Sequence, residues 1–337
     1  MLCSIAVAAC SQAHGAPSKQ QKPGPAPKST TSTTAARISY GTFPLTGLPV
    51  YDRSLAQRPA LSVKIDNAAP ARPQAGLNAA DIVTEELVEG GLTRFFATFQ
   101  SQDAASVGPV RSARPVDADL LRELNGGLFA FSGAAAGELA PVQQRSTAVL
   151  ISDERGDNGF HRVADRPAPY NLYVSTPAMY VDGAARAHPT PPPQLFSYAA
   201  PTPPGNPTGS VALTFSNRSS SSWAWSSGRY QRTQDGAPAT ADDGAPLTTD
   251  NVVILSVAIQ GTGIFDTAHE EDPLVVVTGT GTAWVLRDGV LVQGTWQRPS
   301  SDGGVQVLGP DGHPIALHPG RTWLELLPNS QTPAFSA

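Results

Sequence analysis

The chain has 337 residues, enough for two ordinary domains with linkers, and a formal charge of −5, which lacks the basic excess that wholesale nucleic-acid binding requires. No apolar run reaches the roughly 18–20 residues that span a bilayer. The two cysteines, Cys3 and Cys10, both fall in the first ten residues, so a disulfide framework or a cysteine-ligated metal in the body is excluded.

Residues 1–10 read as the end of a signal segment. Leu2 to Ala9 is apolar, and Val7-Ala8-Ala9-Cys10 resembles a bacterial lipobox, in which the peptide is cut before a cysteine that is then acylated. The first basic residue is Lys19, so the expected upstream part of such a signal is missing and residues 1–10 are a partial one. The competing account is a short apolar N-terminus with chance cysteines. Residues 11–37 are rich in Ser, Thr, Pro, Lys and Gln; they cannot bury enough surface to offset ordering entropy and predict a flexible tether.

A first domain is predicted over 40–187. Leu61 to Asp66 alternates apolar and polar, as a strand does. Asn78 is positioned to cap a helix over 79–89, with Val83 and Leu87 on one side and Gly90 as its stop. Residues 93–99 read as a second strand. Pro115 suits the start of a helix over 116–124, with Asp117 and Asp119 in its first turn. Two further strands are expected at 128–131 and 148–152, separated by an Ala-rich stretch with helical character, and a loop-rich tail runs to about Val174. Strands alternating with helices predict an α/β layer domain. Residues 188–208 hold eight prolines and read as a stiff linker.

Beyond the linker, over 209–329, the texture changes. Short β-branched or aromatic runs at 211–215, 223–230, 252–259, 274–278, 283–286, 290–297, 305–308 and 322–327 are separated by turn signals. Asp288-Gly289 and Asp311-Gly312 are hairpin-type turns. These runs predict an antiparallel β-rich domain, giving a chain of α/β followed by β, or α+β overall.

Residues 65–115 hold the densest polar chemistry. Arg72, Arg94, Arg111 and Arg114 meet Asp66, Asp81, Glu85, Glu86 and Glu89 amid short apolar runs. On the predicted helix, Glu85 and Glu89 share one side, and Glu89 stands in the last turn, where a carboxylate is electrostatically misplaced. Arg94 is near enough to pair with it. Arg111 and Arg114, flanking Ser112, precede a helix whose first turn already attracts anions, which makes a receptor for phosphate or carboxylate. Pairing of these arginines with Asp117, Asp119 or the glutamates is the structural alternative. Asp66 and Asn67 follow directly on a strand, where α/β folds place functional groups; an Asx turn would explain them equally.

No nucleophile elbow, zincin motif, phosphate loop or dinucleotide fingerprint is present, and no cofactor or metal is expected. His161, beside Arg162 and Asp165, is the acid/base candidate by elimination. His269 with Glu270, Glu271 and Asp272 reads as a solvated acidic loop rather than a cation site. All five tryptophans fall in the second half, where filling a β core is the commoner use and stacking on sugar rings the rarer one.

At this point the sequence RPALSVKIDNAAPARPQAGLNAADIVTEELVEGGLTRFFATFQS, followed by VGPVRSARP and later by WAWSSGRYQR, DNVVILSV, GTGTAWVLRDGVLVQGTWQR and PIALHPGRTWLELLP, resembles the YerB-like family of bacterial lipoproteins, described mainly by domains of unknown function. The resemblance runs from about residue 58 to 328. It implies a two-domain envelope lipoprotein with no established activity. It also implies that the family's polar motif falls on Asp66, Asn67, Arg72, Pro73, Gln74, Glu85, Glu89, Arg94, Arg111, Ser112, Arg114 and Asn171. This chain departs from the pattern at Thr84, at Tyr170 and at Gly133-Ala134.

Three readings follow as expectations. The first is a membrane-anchored binding or scaffold module. It would be tethered through Cys10 and hold an anionic envelope polymer or protein partner through Asn67, Arg72, Arg94, Arg111, Ser112, Arg114 and Asn171. The second is an envelope hydrolase or transferase using Glu85, Glu89 or Asp66 as an acid/base pair. A purely structural lipoprotein is the third.

Overall fold

The computed structural model describes residues 38–187, 189–265 and 269–337. Cys10 and the tether expected over 11–37 lie outside the described residues. Helix α1 (Arg53–Gln57), capped by the Asp52 carboxylate, which accepts from the Ser54 N–H at 2.9 Å, leads into β1 (Leu61–Asp66). Next come β2 (Ile82–Leu87) and β3 (Thr93–Phe99).

Strand β2 corrects the helix expected over 79–89. Ile82, Val83 and Thr84 are three successive β-branched residues, stiff at χ1 and suited to a pleated surface. The strand lies between antiparallel β3 and a parallel neighbour, and Ile82 through Glu86 are all buried. A strand covered on both faces loses the alternation of polarity that marks half-exposed strands. Asn78 is no helix cap; its Oδ1 accepts from the Thr248 N–H at 3.2 Å. Glu85 and Glu86 consequently face opposite sides of the sheet, and Glu89 sits in a tight turn (Glu89–Gly91) in which Gly90 and Gly91 take φ of 65° and 69°.

The remaining first-half expectations hold: α2 (Asp117–Glu123), β4 (Leu128–Phe131), α3 (Ala136–Arg145) and β5 (Val149–Ser152). The loop-rich tail contains more order than expected. It forms a hairpin, β6 (Phe160–Arg162) and β7 (Leu172–Val174), and then α4 (Thr176–Arg186), whose start is marked by Ser175 accepting from the Ala178 N–H at 3.3 Å. The Pro-rich stretch that follows carries its own anchors: Phe196 is buried, and the Tyr198 hydroxyl donates to Leu45 O at 2.6 Å.

The second half is β-rich. It runs β8 (Asn206–Pro207), β9 (Ser210–Thr214), β10 (Ser220–Ser226), β11 (Arg229–Gln234), β12 (Ala237–Pro238), β13 (Thr248–Thr249), β14 (Asn251–Phe265), β15 (Glu271–Val276), β16 (Gly279–Arg287), β17 (Val290–Arg298), β18 (Gln306–Leu308), β19 (Thr322–Pro328) and β20 (Ala334–Ser336). The run expected as one strand over 223–230 is divided by a turn at Ser227-Gly228, with φ of 52° and 80°. Asp288-Gly289, at 52° and 74°, joins β16 to β17 as the expected two-residue hairpin turn.

The long sheet has the order β18-β17-β16-β14-β19-β2-β3-β1-β4-β5, so strands from both halves share it. They meet where β19 runs parallel to β2 and, on its other side, to β14. The sheet is therefore mixed: β1, β4 and β5 are also mutually parallel, and the rest of the second half pairs antiparallel. A smaller sheet, β12-β11-β10-β9-β20, carries Trp223 and Tyr230 into one core, with Val63, Ile65, Val83 and Phe95. The opposite face of the long sheet builds a second core from Ile82, Phe96 and Phe129 with Ala118 and Leu121 of α2.

That second core contains a charge. Lys64 is fully buried, and its Nζ donates to Asp117 Oδ1 at 2.7 Å and to Glu86 Oε1. Burial raises the Glu86 carboxyl above its ordinary range, with Lys64 opposing. Replacing Lys64 by Met leaves two buried acids without their cation. The expected loss is roughly 3–5 kcal/mol of unfolding free energy, read from the urea midpoint.

Candidate functional site

Glu85, expected in an acid/base pair, is locked beneath the surface. Its Oε1 accepts from Thr93 Oγ1 at 2.7 Å and Asn67 Nδ2 at 3.2 Å; its Oε2 accepts from Arg232 Nη2 at 2.5 Å. Arg232 also donates through Nη1 to Glu325 Oε1 at 3.0 Å, and Trp223 Nε1 donates to the same oxygen at 2.7 Å. Glu325 stands opposite Glu85 in the β19–β2 register, and its Oε2 meets no donor. Burial and the Glu85 carboxylate push the Glu325 pKa well above the ordinary range, against Arg232. Glu325 thus holds its proton where carboxyls usually lose it. Sequence reasoning missed Arg232, Gln234 and Glu325; a lone acid inside the apolar run Thr322–Pro328 was the available signal.

Glu89 belongs to a second network. It accepts from Arg94 Nη2 at 2.7 Å, from Arg114 Nε at 2.8 Å and from Arg114 Nη2. The pairing with Arg94 is the one its sequence position pointed to. Burial alone would raise the Glu89 carboxyl, yet Arg94 and Arg114 hold it at about 2. Arg114 further donates to Glu138 Oε2 at 3.2 Å and lies 3.2 Å from Asp272 Oδ1 without hydrogen-bond geometry. Burial, with Glu138 and Glu89 nearby, pushes Asp272 up to about 7 despite Arg114.

The four arginines do not converge on one concavity. Arg94 and Arg114 are buried and neutralised by acids. Arg72 pairs with Asp235 at 2.7 Å and lines a cavity of about 230 Å³ with Gln74, Arg232 and Gln234. Arg111 lies elsewhere: its Nε donates to Asp66 Oδ2 at 2.8 Å, and its two Nη nitrogens have no partner among the described residues. Asp66 is held in turn by the Ala68 N–H at 2.8 Å.

Arg111 lines a cleft of about 530 Å³ with Ser112, Ser132, Gly133, Asp153, Glu154 and Arg162. This cleft lies where the parallel strands β1, β4 and β5 end, since Asp66, Ser132 and Asp153 each stand at or just beyond a strand's last residue. Open α/β sheets take ligands at that edge, because successive loops there project polar groups into one crevice. The β6–β7 hairpin contributes Arg162, which donates to Asp153 Oδ2 at 2.8 Å and to Asn171 Oδ1 at 3.0 Å. His161, on the same hairpin, is exposed with its ring 6.3 Å from that of Tyr173. No cluster of three or more metal-ligating side chains occurs among the described residues. The tryptophans serve packing: Trp223, Trp296 and Trp323 are buried, and Trp225 packs on the first core.

Two family models match the chain, the N-terminal domain of a protein of unknown function (DUF3048) over 45–188 and the C-terminal domain of the same over 211–324. A curated relative, named "Putative lipoprotein YerB", from Bacillus subtilis (strain 168), is 28% identical over 308 residues, covering 87% of this chain and 88% of that protein. The chain belongs to the YerB-like family. The crystal structure of the YerB protein from Bacillus subtilis matches with a TM-score of 0.74 at 26% identity, over 87% of this chain and 99% of that one. The polar residues singled out in the sequence divide among three places: Asn67, Gln74 and Glu85 around Arg232; Glu89, Arg94 and Arg114 in the buried ionic network; Asp66, Arg111, Ser112 and Asn171 at the cleft. Gly133-Ala134 borders the cleft, and Thr84 is buried in β2.

These shifts set opposite pH trends. Glu89, held low, contributes stability that is lost as pH falls from the ordinary carboxylate range toward about 2. Asp272, raised to about 7, contributes stability that is complete at low pH and lost as pH rises through that value. Glu123, which burial also raises to about 7 against Arg298, adds to the second trend. Thermal stability should therefore peak near the ordinary carboxylate range and fall as the pH is raised from there to about 7. Asp272→Asn should flatten that fall; an unchanged slope in scanning calorimetry would remove Asp272 from it.

Proposed function

We propose that the protein is an envelope lipoprotein, anchored through Cys10 on the extracytoplasmic face of the bacterial membrane, whose body is a binding module that holds an anionic group at Arg111. The lipobox-like Val7–Cys10 and the relative described as a lipoprotein support the anchor. One observation carries the site: Arg111 alone among the four arginines of residues 65–115 has a guanidinium half engaged, with Nε fixed by Asp66 and both Nη nitrogens unpartnered at a cleft. Two parallel N–H groups held in a fixed orientation match a carboxylate or phosphate edge. The commitment of Glu85 and Glu89 to ion pairs favours binding over hydrolysis.

Titration calorimetry of the full chain with purified anionic cell-wall fragments tests the site. Arg111→Ala should weaken binding about tenfold to a hundredfold, the loss of charge-assisted bonds of roughly 1.5–3 kcal/mol. Arg111→Lys should recover part of it, and Arg72→Ala should change little. Wild-type affinity in Arg111→Ala overturns the reading.

A further inference from the structure

Arg111 has a counterpart in the same cleft. The Ser132 N–H donates to Arg111 O at 2.9 Å and the Glu154 N–H donates to Ser132 O at 2.8 Å, so three segments lie side by side with Ser132 in the middle. Neighbouring extended segments are about 4.8 Å apart, which separates the Arg111 and Glu154 backbones by about 10 Å. The Glu154 carboxylate makes no hydrogen bond or ion pair among the described residues. It rests over Gly133, where an added Cβ would lie 2.1 Å from Oε2. Any side chain at that position would push the carboxylate away, so the glycine leaves room for it beside the cleft floor.

The other charges lining the cleft are matched: Arg162 is paired with Asp153, and the Nε edge of Arg111 with Asp66. What remains is a pair of guanidinium donors on one side and an unmatched carboxylate on the other. A simple anion leaves Glu154 unmatched, and a simple cation leaves Arg111 unmatched. A ligand carrying both signs satisfies both.

We propose that this cleft binds a zwitterion of the short-peptide class, its terminal carboxylate on the Arg111 Nη pair and its ammonium on Glu154; this rests on the reading of Arg111 given above. A span of about 10 Å between the two backbones is close to that of an extended peptide of two or three residues at about 3.3–3.6 Å each.

Calorimetry of the full chain with tri-alanine bearing free termini, with its N-acetylated form and with its C-terminal amide tests this. The free peptide should bind, and each capped form should bind at least about tenfold more weakly. Glu154→Gln, an exposed position whose melting temperature should be unchanged, should bind the free and acetylated peptides alike. Equal affinity of the wild type for free and acetylated peptide overturns the role of Glu154 and leaves Arg111 standing. Equal affinity for free peptide and amide overturns Arg111 as well. Failure of all three to bind overturns the peptide class, and the anion reading is then judged by the polymer titration alone.

Discussion

Arg232 is clamped between Glu85 and Glu325, two carboxyls that stand directly opposite one another on adjacent parallel strands. Like charges so placed repel, and burial multiplies the cost. The arrangement holds because a guanidinium reaches both acids from the smaller sheet, with the rings of Phe95, Trp223 and Trp323 around it at 5.4, 5.2 and 4.8 Å from the guanidinium carbon, and because burial and the Glu85 carboxylate raise the Glu325 pKa. Three pieces meet at this point: β2 from the first half of the chain, β19 from its end and β11 from the second sheet. Apolar residues of similar volume could fill such a space with equal stability. What the ionic version adds is register. A one-residue slip of β19 would carry Glu325 to the opposite face of the sheet and take from Arg232 Nη1 and Trp223 Nε1 their shared acceptor.

The buried polar groups reveal why the site was only partly legible from sequence. The importance of residues 65–115 was readable, and so was the attraction of Glu89 for Arg94, because those partners are five residues apart. The acids that neutralise the remaining arginines are not local. Asp235 reaches Arg72 from β11's end, Glu138 reaches Arg114 from α3, and Asp272 approaches it from β15. Ion pairs across such separations leave no periodicity to read, so four arginines that look convergent along the chain are dispersed in space.

Fold elements divide along the same physical line. Strand β1, whose residues alternate apolar and polar although all are buried, and the β16–β17 hairpin, with Asp288-Gly289 at positive φ, announce themselves. Strand β2 does not: its run IVTEEL has no alternation and fits a helix as well. The error propagated: on a helix Glu85 and Glu89 share a side, whereas on a strand ending in a glycine turn they enter different networks. Helix α4 is faint in the sequence although Ser175 and Pro177 form an ordinary start signal, since the small residues that follow give little apolar contrast.

The buried arginines still bear on the cleft, though not as ligands. Arg94 Nη1 donates to Ser112 O at 3.1 Å, while its Nη2 is fixed by Glu89, which is fixed by Arg114. Backbone bonds then tie Ala113 to Gly133 O at 3.0 Å and Arg111 to Lys64 O at 2.9 Å. The segment that presents Arg111 is therefore held from below by an ionic network and from each side by neighbouring strands. A guanidinium whose Nε is already anchored by Asp66 loses little further freedom on meeting an anion, which is the advantage of a prepared site over a flexible arginine at the surface. Neutralising Arg94 and Arg114 removes them from ligand binding and at the same time makes them the support on which the one half-free arginine stands.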